Sequence, residues 1–310
     1  MRSALVLMVV AACGTSATEK GVVVPGSGAA ATPERALAQF AGVELPDVAP
    51  SVGAAPERGP TVHASMTELN LDDERVATLL GGHLDATEVE GGSKGFEISK
   101  LRGATTRVAT ATTDRPSARV GLAFDRRQTY GLLVQTIYSM KSEPGFEHFG
   151  LYARSGDATV MLPIDLPDPT RSPASSPAGA STPGAGPAAP APTAPAGAAP
   201  GPVGPRLSLF VSITPTEVLV WSASGLEGTL KSPKLKVARS PTAMRAVNET
   251  LAEIVSRRWP SEPPTRERQI VLQAGVDVPI QVIADAMAAV HATAGSRPLF
   301  PDVLLSAGFE

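Results

Sequence analysis

The residues able to do chemistry in this chain are few and far apart. Four histidines, His63, His83, His148 and His291, stand away from the single cysteine, Cys13. None has the i, i+4 partner or the carboxylate spacing that a metal site requires, so each reads as a surface or rim residue. No phosphate loop ending in Gly-Lys-Ser/Thr occurs. A Ser-His-Asp triad need not be close in sequence, yet small domains of the element order read below leave little room for a deep pocket. The chain is expected to be a non-enzyme with no metal and no cofactor. Asp125-Arg126-Arg127 is the sharpest local cluster. A carboxylate at a helix start is favoured by the helix dipole and can cap the helix that begins near Tyr130. Arg126 and Arg127 would then present a charged rim to a peptide or glycan, and Asp277 stands at the matching loop further along. Lys231, Lys234, Lys236 and Arg239 form the densest basic stretch. Each lysine near an anionic surface is worth roughly 1 kcal/mol, although a solvated loop leading into a helix is the plainer reading.

These residues sit on a pattern of short strands and amphipathic helices. In the C-terminal half, Leu207–Ile213 and Glu217–Trp221 flank a polar turn and predict a hairpin. Ser240-Pro241 predicts a helix start, with Met244, Val247, Leu251, Ile254 and Val255 at helical spacing and Trp259-Pro260 as the stop. A strand over Gln269–Ala274, a helix carrying Ile280, Ile283, Ala284, Met287 and Val290, and a last strand at Val303–Ser306 follow. The order is β-β-α-β-α-β, and its strand-helix-strand units predict parallel pairing through right-handed crossovers.

The N-terminal half repeats the plan. Thr61–Met66 and Arg75–Leu80 predict a hairpin around Asn70–Glu74, and a short periodic piece with Phe96, Ile98 and Leu101 stands for the first helix. Val120–Phe124 reads as a strand, Tyr130, Leu133, Val134, Ile137 and Tyr138 as a helical stripe, and Phe149–Ala153 as the closing strand. Placing Leu122 over Leu272 also places Tyr130 over Ile280, Leu133 over Ile283 and Ile137 over Met287, as a tandem duplication would. The expected class is α+β: two small domains, residues 60–167 and 206–310.

Thirty prolines and 29 glycines are not spread evenly, and 11 of the prolines fall in residues 168–205. Residues 168–205 are rich in Pro, Ala and Gly, which favours an extended semi-rigid spacer. Residues 13–59 are poor in large apolar side chains and predict a disordered tether. Residues 1–12 place one arginine before a short apolar run, the layout of a signal peptide and far short of a membrane span. Val10-Ala11-Ala12-Cys13 resembles the lipobox of bacterial lipoproteins, which implies acylation at Cys13 and a periplasm-facing address in the bacterial cell envelope. A stable anchor takes more than one acyl chain, at about 0.8 kcal/mol per buried methylene. A lone cysteine excludes an intramolecular disulfide. The net charge of −3 gives no reason to expect nucleic acid.

The segment from Ile270 through Asp277 to Val290, ending in Phe300-Pro-Asp-Val-Leu-Leu-Ser-Ala-Gly, is similar to the periplasmic domain of ExbD/TolR biopolymer-transport proteins. Val120–Val134, with Asp125 in the loop, resembles the same strand-loop-helix unit. In that family the domain follows a transmembrane helix whose aspartate takes part in proton-driven work. No such helix occurs here, and Gly275 stands at the place of the loop aspartate in the second copy. The resemblance therefore implies an accessory module, not itself a proton channel. Its partners would be envelope proteins of a proton-motive-force-coupled transport complex, or peptidoglycan. The alternative is a structural envelope lipoprotein acting as a spacer or self-associating into a homo-oligomer.

Overall fold

A computed structural model describes residues 42–49, 52–57, 59–90, 95–111, 119–141, 146–166, 208–240, 242–259, 268–294 and 297–306. The signal segment, Cys13, the tether up to residue 41 and the spacer over 168–205 lie outside the described residues.

The first half opens with a meander of β1 (Thr61–Ala64), β2 (Glu68–Leu71) and β3 (Glu74–Leu80). Sequence pattern predicts a two-stranded hairpin with a polar loop over 70–74. Instead Leu69 and Leu71 alternate into the core as a strand of their own. The turn shrinks to Asp72-Asp73, where Asp72 takes a φ of 49°, a left-handed conformation that aspartate tolerates. The short β4 (His83–Leu84), β5 (Val89–Glu90) and β6 (Glu97–Ile98) follow, then α1 (Ser99–Ala111). This helix is longer than its weak periodicity predicts. It buries Leu101, Ala104 and Thr105, and the Thr105 hydroxyl satisfies itself on the Leu101 carbonyl at 2.8 Å.

β7 (Val120–Phe124) is buried along its whole length, and α2 (Tyr130–Lys141) returns the chain to β8 (His148–Ser155). β9 (Ala158–Asp165) is a strand that the sequence reading leaves out, because Pro163 interrupts its run and cannot donate to a ladder. It pairs with β8 over eight residues, Pro163 standing opposite Gly150.

The second half contains β10 (Leu209–Ile213), β11 (Glu217–Ser222), β12 (Leu235–Ala238), α3 (Ala243–Arg258), β13 (Gln269–Ala274), α4 (Ile280–His291), the two-residue pair β14 (Thr293–Ala294) and β15 (Arg297–Pro298), and β16 (Asp302–Ser306). Of the predicted α3 stripe Val247, Leu251 and Ile254 are buried and Met244 and Val255 half-buried, while Ile280, Ile283, Ala284, Met287 and Val290 of the α4 stripe are all buried. α3 starts at Ala243, with Thr242 in front and no side-chain cap; Pro241 lies outside the described residues.

The strands of the two halves do not form separate sheets. They make one mixed sheet of twelve strands, ordered β12-β11-β10-β13-β16-β9-β8-β7-β1-β2-β3-β4. Each half lays its strands in the same sequence, β3-β2-β1-β7-β8 and β12-β11-β10-β13-β16. The central parallel pairs correspond: Val62 lies beside Leu122 and Val211 beside Leu272. A single register pair, Leu304 with Asp165, links the halves, through β16 and β9.

The end of the expected tether is not free. The Val48 amide donates to the Arg154 carbonyl and the Arg154 amide to the Pro46 carbonyl, Ala54 and Met161 exchange backbone bonds, and Leu45, Val48 and Val52 are buried against the first half. The four apolar residues Val43, Leu45, Val48 and Val52, spread over ten positions, are too sparse to read as an element. They nevertheless cover apolar surface of the sheet, where Leu45 and Val43 meet Ala123, Tyr152 and Met161.

Candidate functional site

β7 and β13 run in opposite senses, since β7, β8 and β9, β16, β13 are parallel within each set while β8 and β9 are antiparallel. In a flat sheet their carboxyl ends would point to opposite edges. Yet the loops that follow them meet, so the sheet must twist or curl between β7 and β13.

The meeting is reciprocal. The Tyr130 amide donates to the Val278 carbonyl and the Ile280 amide to the Gln128 carbonyl, both at 2.8 Å. Gly131 donates to Val276 at 2.8 Å and Gln281 to Arg126 at 3.0 Å. Thr129 and Pro279 form the bridge between them. Thr129 and Pro279 stand 150 residues apart, and the same offset, which also superposes Leu122 on Leu272, carries each of these hydrogen bonds onto its counterpart. The two helix starts, whose first amides have no intrahelical acceptor, satisfy each other across this local two-fold. Gly131 makes a close contact here: a Cβ would stand 3.2 Å from the Val276 carbonyl oxygen and 3.3 Å from the Val276 Cβ, so that Val276 would have to give by a few tenths of an ångström. Tyr130 departs from the symmetry, its buried hydroxyl donating to the Ser306 and Leu272 carbonyls. Burial first, and the neighbouring Tyr138 second, push its phenol well above the ordinary tyrosine value.

Asp125, Arg126, Arg127 and Asp277 are brought to this one junction, in two different settings. The Asp125 side chain is fully buried and accepts from the Arg127 amide at 3.0 Å, from the Arg127 guanidinium twice at 2.9 Å, and from the Glu44 amide at 3.2 Å. Burial works to raise its pKa, but these donors outweigh it and hold the carboxyl below the usual range. Asp125 therefore braces the loop and does not cap the helix; Thr129 does that, its hydroxyl accepting from the Leu132 amide at 3.4 Å. Arg126 pairs with Glu44 at 2.8 Å and Asp47 at 3.8 Å. The pair of arginines thus spends its charge on the chain's own carboxylates, and Arg127→Ala would leave Asp125 buried with less compensation.

Asp277 is exposed and, with Val276, forms one lip of an open cleft of about 220 Å³. Its other walls are His83 and Leu84 on the β4 turn, Phe96, and Leu132 and Gln135 of α2. Phe96 and Tyr138 pack edge-on with centroids 5.4 Å apart. The positions related to Gly131, Gln135, Val276 and Asp277 by the 150-residue offset are Gln281, Asp285, Arg126 and Arg127. On that side the chain's own segment lies across: the Gln281 amide group clips the Asp47 backbone at 3.0 and 2.8 Å, and also donates to Asp285 at 2.9 Å. One junction face is covered by residues 44–47, and the other is open. Sequence pattern located both loops through the aspartates, but not the covering segment or the cleft wall from β4, which depend on long-range packing.

Gly91-Gly92-Ser93-Lys94-Gly95 has the Gly-x-Ser-x-Gly spacing of a hydrolase elbow. Residues 91–94 lie outside the described residues. Among the described residues no three His, Cys, Asp or Glu side chains are grouped to hold a metal ion, and no helix is long and apolar enough to cross a membrane. No family model, curated protein or solved structure matches the chain.

Proposed function

We propose that this chain is a lipid-anchored docking module of the bacterial envelope, built from two copies of an ExbD/TolR-like β-β-α-β-α-β unit, each extended by a further strand. It would serve an energy-coupled transport or envelope-maintenance complex as an accessory that binds a protein partner or peptidoglycan, without itself conducting protons. The observation that carries the reading is the paired junction at a constant 150-residue offset, in which corresponding loops and helix starts associate as two protomers would. Its open face, between Phe96 and Asp277, is the place for the partner. An extended segment is already held by its backbone on the related face, through the Gln281 side-chain amide and the Arg126 backbone amide, a mode of recognition that a second peptide can share.

The test is crosslinking and capture from envelope membranes with the full chain, compared with Val276→Arg and Asp277→Arg. Both residues are exposed, so the variants should fold. Capture of a defined envelope protein or of cell-wall fragments, lost in both variants, is the expected result. Capture unaffected by either variant would overturn the site. Concentration-dependent sedimentation with no captured partner would replace the reading with that of a self-associating structural lipoprotein.

A further inference from the structure

The loop between β11 and β12, residues 223–234, is long for a hairpin connection and is nevertheless tightly ordered. Loops of such length without regular structure are uncommon and are usually functional. Glu227, 1% exposed, is its pin. Its carboxylate receives Arg257 Nη2 at 2.5 Å and Arg258 Nε at 2.7 Å, and its amide donates to the Ser222 hydroxyl at 2.9 Å. Thr229 and Ser232 close a second turn by mutual backbone bonds of 3.0 and 3.1 Å. Gly228, at φ 78°, lies where a Cβ would come within 2.5 Å of the Lys234 nitrogen.

This rigid scaffold holds two leucines outward, Leu226 at 46% and Leu230 at 44% exposure. A loop braced by a buried ion pair need not present leucines to water for the sake of its own fold. Their surroundings are basic. Between Glu217 and Arg258 the sequence carries seven Lys and Arg against four Glu, in a chain whose net charge is −3. One of those glutamates is the buried Glu227. Lys234 and Lys236 are paired with Glu253 and Glu217 at 3.1 Å. Lys231, next to Leu230, is exposed and makes no ion pair among the described residues, while Arg239, equally unpaired, lies at the opposite end of β12 beside Thr216.

We infer that this loop is a membrane-contact surface for anionic phospholipid, Leu226 and Leu230 entering the interface while Lys231 and its basic neighbours meet the headgroups. Apolar burial and headgroup attraction reinforce each other in such peripheral contacts. The inference goes beyond the docking reading and is independent of lipidation at Cys13. An anchored chain would gain a second contact that sets its orientation on the bilayer.

The test uses the full chain bearing Cys13→Ala, so that no acyl chain contributes, in co-sedimentation with vesicles of phosphatidylcholine alone or with about one-third phosphatidylglycerol. Binding is expected to be at least tenfold stronger to the anionic vesicles and to weaken with added salt. Lys231→Glu should weaken it about fivefold or more, and the Leu226→Ser/Leu230→Ser double variant should weaken it at least as much, with melting temperatures unchanged. Equal binding to both vesicles, or wild-type binding by the variants, would overturn the assignment. So would tighter capture by polyglutamate than by vesicles, which would make the surface one for an acidic polypeptide.

Discussion

Gly131→Val tests whether the loop junction holds the two halves together. A Cβ at position 131 would already crowd the Val276 carbonyl at 3.2 Å, and the γ-methyls of valine reach further into the same contact. The two loops must move apart, which removes the Gly131–Val276 bond and strains the adjacent Tyr130–Val278 bond, each 2.8 Å long. Two such bonds contribute about 2 kcal/mol net, and the better helix propensity of valine returns about 0.4 kcal/mol. The expected loss is about 1.5 kcal/mol, a fall of roughly 3–6 °C in Tm for a folded body of this size. Gly103→Ala is the control. It lies inside α1, where a Cβ would meet only the Arg107 Nη1 at 3.8 Å. That variant should gain about 0.5–1 kcal/mol. Both are read by differential scanning calorimetry. If Gly131→Val melts at or above the wild-type temperature, the junction does not couple the halves as described.

Asp125→Asn should cost about 1–2 kcal/mol in urea denaturation at neutral pH, because the amide cannot accept from both Glu44 and Arg127. The folded-state pKa of Asp125 is depressed, so the penalty is complete above pH 3.8 and fades as the pH falls below it. Glu227→Gln should cost about 1–2 kcal/mol, less than a fully buried pair because Arg257 and Arg258 are 47% and 34% exposed; an unchanged urea midpoint would show that the loop needs no pin. His291, whose pKa burial lowers against the opposing pull of hydrogen bonds to the Phe300 and Pro163 backbone and of the Asp165 charge, favours the neutral form in the fold. Stability should therefore fall as the pH drops through 6.5, at no more than about 1.4 kcal/mol per pH unit, and His291→Gln should flatten that slope in melts between pH 7.5 and 5.5.

The strongly periodic elements were legible from sequence because burial alone specifies them: the β13 run, the α4 stripe and the β10–β11 hairpin fall where apolar spacing places them. Strands whose side chains serve other purposes were not. β12 alternates lysine with half-buried Leu235 and Val237 at a sheet edge, and its charge masks the strand. Of the junction, the aspartates and the 150-residue offset were visible in the sequence. That Asp125 would be a buried brace and Asp277 an exposed lip was not, because the difference is made by Glu44, some eighty residues from one loop and over two hundred from the other.

A symmetric homodimer must present the same groove twice, and it dissociates on dilution. Joining the two halves in one chain removes both constraints. The second half meets the first at an effective concentration fixed by their covalent connection, so a junction of few hydrogen bonds is enough at any protein concentration. Each face is also free to drift separately. The cover over Gln281 and the vacant cleft beside Asp277 are a division of labour that two identical subunits could not encode.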